Sequence, residues 1–333
     1  MKTSSIPLGA IGADLTPAVV TASVGALVTA LAPDGVLPPG ARSLVEALGR
    51  RLGVEPRVDE TRPATPQEVA TVVRDPVTRA QLVRVLIVAA MMDDLPSAEV
   101  VARIESFAQA LDVDEPALVD ARLAAERKLV RLRLHVMRRF WAVRMMREHI
   151  RRHGLLRFAR IMLGMLRLWT DRALARRYRS LAALPEGTLG RRYLEFVDGN
   201  GFQVHGERGA LPEIIVHHDL SHVLAGYGTD PASEVAAACF QAGYRRDDPF
   251  GFIMFVLLQF HLGVRMSPVA PAGRGNFDPD RALDAIRRGA AMNRDLTDGT
   301  WDYWADMERP LAELRARYEV PPPDVRSPRA VAA

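Results

Sequence analysis

The sequence predicts an all-α protein with two helical domains, the C-terminal one a bundle holding a metal site between adjacent helices. Ala, Leu, Val and Arg dominate the 333 residues, a composition that favours helices. Apolar residues recur at helical spacing through most of the chain. Convincing alternating strands, a GxGxxG turn and a P-loop are all missing from the pattern, which argues against a dinucleotide- or P-loop-type enzyme. A hydrophobic fraction of 48% and a charged fraction of 25% are ordinary for a globular chain, and the length suits two domains.

Residues 1–65 form an irregular, partly helical segment. An apolar stretch near 15–32 is interrupted or bounded by Asp14, Pro17 and Pro33, which argues against a signal peptide. "APDGVLPPGAR" (32–42) reads as a loop, "ARSLVEALGRRLGV" (41–54) as a helix, and "EPRVDETRPATPQE" breaks that helix. Over residues 66–125, Thr65 before Pro66 and Ser97 before Glu99 carry the grammar of helix starts. Residues 126–180 form a basic zone of amphipathic helices. From Arg127 to Arg179 seventeen Lys or Arg stand against only Glu148 and Asp171. Such helices are either a solvated face, with arginine stems covering apolar surface, or a surface for anionic membranes. Nucleic acid is not expected, because no recognition motif is present and aromatics are only 6%.

Residues 181–320 form the second domain. Pro185 and Gly187 break the chain before a helix starting near Thr188, "DGNGF" turns it, and "LPEIIVHHDLSHVLAG" is helical again. "GFIMFVLLQFHLGV" (251–264) is too short to span a bilayer and reads as a buried core helix or a lipid-facing wall. Residues 321–333 read as a disordered tail. The single cysteine, Cys239, lies in an apolar run; it excludes a disulfide framework or Cys-rich zinc module and fits a cytoplasmic setting.

The chemistry concentrates in residues 216–240. On a helix at about 100° per residue, His218, Asp219 and His222 fall within one arc. Gly226 and Gly228 stop that helix. Thr229 or Asp230 caps the next, with Pro231 in its first turn. Glu234 then leans back towards the first helix. His218, Asp219, His222 and Glu234 are therefore the expected metal ligands and catalytic residues, for zinc first and iron as the alternative. The competing reading makes these side chains core or capping polar groups. His217 points away, as a supporting or simply buried histidine. His135, His149, His153, His205 and His261 are expected to be structural.

HDxxH, eleven residues, then Glu, resembles the signature of the coenzyme Q biosynthesis protein 4 family. "LPEGTLGRRYLEF", Gly226 and "WDYWADMERPLAELRARY" (301–318) are similar to other parts of that family, so the likeness covers about residues 180–320. Ser233 stands where the family usually has glycine, the segment from Tyr193 to His218 is shorter, and "LPEIIVH" replaces an arginine-rich approach. The resemblance implies a role in ubiquinone biosynthesis: metal-dependent oxidative decarboxylation of a polyprenylated hydroxybenzoate-type ring, or an isoprenoid-lipid-binding scaffold for quinone-biosynthesis enzymes. Implied partners are a prenylated quinone precursor, the inner membrane face, other quinone-biosynthesis proteins and a second copy of the chain. Residues 79–118, with Asp93-Asp94 between two helices, resemble the tellurite-resistance TerB-like helical fold; the plain alternative is a hairpin whose acids cap the second helix. An HD-type phosphohydrolase would need a further histidine, for which His205 is poorly placed. A zincin protease would need a glutamate where Asp219 stands.

Overall fold

Most helices open on a side chain that accepts from their first turn, so their starting points are set locally. Thr16, Asp75, Ser97, Asp171, Thr188, Asp230, Asp248 and Asp278 each cap a helix, and Thr65 with Glu68 forms a reciprocal capping box. Proline follows the cap at Pro17, Pro66, Pro76, Pro231, Pro249 and Pro279, where its missing N–H costs nothing. The computed structural model describes residues 6–10, 15–32, 34–139, 145–147, 150–152, 154–267 and 270–323.

The described residues are all-α, with no strand among them beyond two isolated bridges, Thr188 with Pro310 and Leu262 with Arg274. In the N-terminal half the helices are α1 (Pro17–Leu31), α2 (Pro39–Leu52), α3 (Pro66–Val72), α4 (Pro76–Ala89), α5 (Ala98–Ala110), α6 (Ala117–Ala125) and α7 (Leu129–Arg139). They are followed by α8 (Leu155–Met165) and α9 (Arg172–Arg179). In the C-terminal half they are α10 (Leu189–Gly199), α11 (Val216–Ala225), α12 (Pro231–Tyr244), α13 (Pro249–Val256), α14 (Pro279–Ala290), α15 (Tyr303–Asp306) and α16 (Leu311–Arg317).

α1 packs on α3, α4 and α5, and α4 in turn on α2, α5 and α6. One hydrophobic cluster runs from Val19 to Val320 and joins this bundle to the C-terminal helices. α2 lies on α14, where Arg50 pairs with Asp280 at 2.7 Å. The acidic turn expected to cap α5 works elsewhere. Ser97 caps α5, while the Asp93 carboxylate accepts from Gly40 N in the first turn of α2.

α12 and α14 form the closest helix pair of the C-terminal half. At their crossing Gly243 faces Gly289, and a methyl group on either would collide with backbone of the other helix. Two glycines thus let the backbones approach nearer than side chains allow. The apolar run 251–264 is a buried core segment: every residue of α13 is buried, and the chain continues through one π-helical turn, Leu257–His261. That turn is held by His261, which bonds to the Met92 carbonyl and accepts from Phe277 N. Phe250 and Ile253 of α13 also line an apolar cavity of about 510 Å³, shared with Leu27, Leu44, Leu82 and Ile286.

The basic zone is fastened to the fold by one buried and one half-buried acid. Asp120, fully buried, takes His135 at 2.6 Å and Arg139 at 2.8 Å, and Arg139 also reaches Asp248 at 2.8 Å. In α8 no described side chain is buried. Leu155, Leu156, Leu163, Leu166, Leu168 and Trp169 are exposed in and just after it. His149, His153 and residues 324–333 lie outside the described residues. No helix among the described residues is long and apolar enough to cross a membrane.

Candidate metal centre

α11 carries the two histidines because both of its ends are secured. Ahead of it, Glu213 accepts from Tyr178 Oη at 2.9 Å, Tyr303 Oη at 3.0 Å and the Trp304 indole at 3.3 Å. Its C-terminal carbonyls are all met. Arg315 donates to Val223 and Leu224, and buried Arg288 donates to Ala225 and to the Tyr227 hydroxyl. Cations at this end also complement the helix dipole. Gly226 closes the helix at φ 77°, the left-handed conformation that glycine adopts without strain, and its N–H bonds to the His222 carbonyl.

Asp230, rather than Thr229, caps α12, accepting from Ala232 N and Ser233 N. The Thr229 hydroxyl turns away and donates to Asn200. Ser233 receives Arg281 of α14 at 2.8 Å and so ties α12 to α14. Glu234 lies in the first turn of α12, where the helix dipole favours a carboxylate.

His218 Nε2, His222 Nε2 and Glu234 Oε2 converge from the two helices. The nitrogens are 3.3 Å apart, and the carboxylate oxygen lies 3.4 Å from His218 and 3.7 Å from His222. A triangle with these sides has a centre about 2.0 Å from every corner, which matches the roughly 2.0–2.2 Å bonds of zinc to imidazole and carboxylate. These three are the one group of potential ligands found together among the described residues. His222 is buried against the Phe196 ring, with centroids 5.5 Å apart, whereas the His218 and Glu234 side chains keep 27% and 20% of their exposure. One side of the centre therefore opens to an outside ligand.

The charges are matched to a cation. Burial works against ionising Glu234, but the hydrogen bonds and charges of His218 and His222 prevail and hold its carboxyl far below the usual range. Burial likewise opposes a charged His218, and Glu234, with help from Asp219, more than offsets it.

Asp219, expected as the fourth ligand, stands outside this group. Its short side chain leaves the helix about 100° from His218. Its influence is electrostatic: its charge adds to burial in raising the pKa of Tyr193 and to Glu234 in raising that of His218. His217 is buried against Trp301 and Tyr303, and burial lowers its pKa to about 4. His135, His205 and His261 bond to Asp120, the Leu211 carbonyl and the Met92 carbonyl, as structural histidines do. Cys239 is buried, and burial pushes its thiol pKa up.

Gln241 was not among the expected site residues. It is fully buried on α12, and its amide lies 2.9 Å from His218 Nδ1. One local signal pointed to it: it follows Glu234 by seven residues, on the same face of an otherwise apolar helix. Comparison of the chain with protein-family models, with curated proteins and with solved structures finds no match.

Proposed function

We propose that this protein is a metal-dependent enzyme of quinone biosynthesis that replaces the carboxylate of a polyprenylated hydroxybenzoate-type ring with a hydroxyl. The observation that carries this reading is the three-ligand centre with one open side, the arrangement of catalytic rather than structural sites. The family resemblance supplies the substrate class. Dioxygen is the required oxidant: one aryl carboxylate, a proton and half an O₂ give the phenol and CO₂. His218, His222 and Glu234 would hold zinc or iron, and the ion supplies Lewis acidity towards the oxygens of the substrate. The other groups bind and orient. Phe196, backed by Phe202 at 6.3 Å between centroids, gives an aromatic wall beside His222, and the exposed Phe202 extends it outward.

The exposed leucines and Trp169 around α8, interleaved with Arg160 and Arg167, suit an in-plane seat on an anionic membrane, where a prenylated substrate resides. Flotation with phosphatidylglycerol vesicles at low salt tests this, and failure to float removes the membrane part of the reading.

A second reading, the non-catalytic isoprenoid-binding scaffold, draws on the apolar cavity. The cavity lies against Leu283 and Ile286 of α14, while Gly289 of that helix faces α12 and Arg288 reaches the end of α11; His218, His222 and Glu234 do not line it, so the cavity is separate from the metal centre. One experiment divides the two readings. Purified protein is analysed for bound metal, then given a prenylated hydroxybenzoate under ¹⁸O₂. The enzyme reading expects ¹⁸O in a hydroxylated product and its loss, with the metal, in Glu234→Ala. Lipid bound without turnover in metal-loaded protein would replace it with the scaffold.

A further inference from the structure

The two imidazoles of the metal centre are supported differently. His222 Nδ1 donates to the Gly228 carbonyl at 2.9 Å, which leaves its Nε2 lone pair free to face inward. His218 Nδ1 instead meets the amide nitrogen of Gln241 at 2.9 Å. An amide NH₂ can only donate, so in this arrangement His218 Nδ1 accepts and the ring proton sits on Nε2, where a cation would bind. The other end of the same amide, Gln241 Oε1, is buried without a hydrogen-bond partner. An oxygen and an NH₂ group are nearly the same size, so half a turn about the last side-chain bond exchanges them without disturbing the packing.

We propose that Gln241 is the positioning residue of the metal centre: its amide turns so that Oε1 accepts from His218 Nδ1–H, which fixes Nε2 as the ligating nitrogen. The inference rests on the metal reading of His218, His222 and Glu234 and extends it to a residue outside the ligand motif. A residue that only filled space here would need neither an acceptor nor an amide. Gln241 is fully buried among Ala, Cys and Phe side chains of an apolar helix, where an amide is costly unless its hydrogen bonds are used. The same device makes one imidazole of the centre adjustable while the other is held by backbone. With the amide in its present orientation His218 bonds as the Nε2–H tautomer; with it reversed, His218 is a ligand.

The test is zinc affinity of the full-length protein, measured by competition with a chromophoric chelator, for wild type, Gln241→Leu and Gln241→Glu. Leucine keeps the volume and removes the acceptor; glutamate keeps an acceptor and strengthens it. The expected result is affinity lowered about 10- to 100-fold by Gln241→Leu and restored to the wild-type level or beyond by Gln241→Glu. The cobalt-substituted proteins should show the same order in their visible spectra, with the Gln241→Leu bands altered and the Gln241→Glu bands close to wild type. Equal zinc affinity in all three proteins overturns the positioning role and leaves the metal centre standing. Weakening by both substitutions overturns it too, because packing alone then explains the effect. Should Gln241→Leu not fold, Gln241→Glu still decides: affinity below wild type refutes the inference. Absence of zinc binding by wild type removes the metal reading itself, and this inference with it.

Discussion

Replacing Glu234 with Gln should abolish the stabilisation that zinc confers, by an amount the geometry allows to be worked out. The substitution keeps the shape of the side chain and removes the anionic oxygen that lies 3.4 and 3.7 Å from the two imidazoles. In the wild type the three ligand atoms already surround a point at bonding distance, so zinc would bind without moving the two helices, the one adjustment being the turn of the Gln241 amide. At zinc a hundredfold above Kd, binding adds about 2.7 kcal/mol to the stability. With an unfolding entropy of about 2.1 cal/mol/K per residue, the 333-residue chain gains about 4 °C in Tm. If the variant binds about 100-fold more weakly, the same zinc concentration yields about 0.4 kcal/mol, under 1 °C. Scanning calorimetry of both proteins, in EDTA and in buffered zinc, measures the two shifts. A zinc-induced rise of the same size in Glu234→Gln, or no rise in wild type, would show that the convergence of the three side chains does not bind the ion.

Three further outcomes follow from other parts of the structure. His217 has a folded pKa near 4 against an ordinary value of about 6.5, so the unfolded chain binds the proton first and stability falls as pH drops from about 6.5 towards 4, by about 3 kcal/mol from this group. Urea midpoints in EDTA should therefore decline more steeply with acid for wild type than for His217→Leu; parallel curves would mean that His217 is not held neutral. Gly289→Ala places a methyl group against the Phe240 backbone, which should cost about 1–3 kcal/mol and lower zinc affinity by moving α14 away from α12; an unchanged denaturation midpoint counts against that crossing. Asp230→Ala removes the cap of α12 and should cost about 1 kcal/mol by the same measurement, with weaker zinc binding because Glu234 sits in the uncapped turn.

Much of the fold was readable because its signals are short-ranged. Thr65, Ser97 and Thr188 cap the helices that their neighbours predict, since the acceptor and the donors it serves lie within one turn. Where a second part of the chain competes, local reading stops. Thr229 and Asp230 are equally good caps in sequence, and the choice falls to Asp230 because Asn200, some thirty residues earlier, takes the Thr229 hydroxyl. Asp93 looks like the cap of the helix that follows it, yet it serves Gly40, which only folding brings near. The run 251–264 announces burial through its composition, but not the π turn at its end, which depends on Met92 and Phe277 gripping His261.

From sequence alone came the helical period, the stop at Gly226 and the restart at Asp230, enough to bring His218, His222 and Glu234 to neighbouring positions on two helices. Tertiary structure decided which carboxylate completes the set. Asp219 shares the helical arc of the histidines but not their meeting point, because convergence depends on the distance and angle between α11 and α12. Those are set by Arg288 and Arg315 on the end of α11 and by the Gly243–Gly289 contact behind α12. Gln241 and the cavity against α14 belong to the same class. Periodicity is written into consecutive residues, whereas the meeting of side chains across a gap is a property of how rigid helices pack.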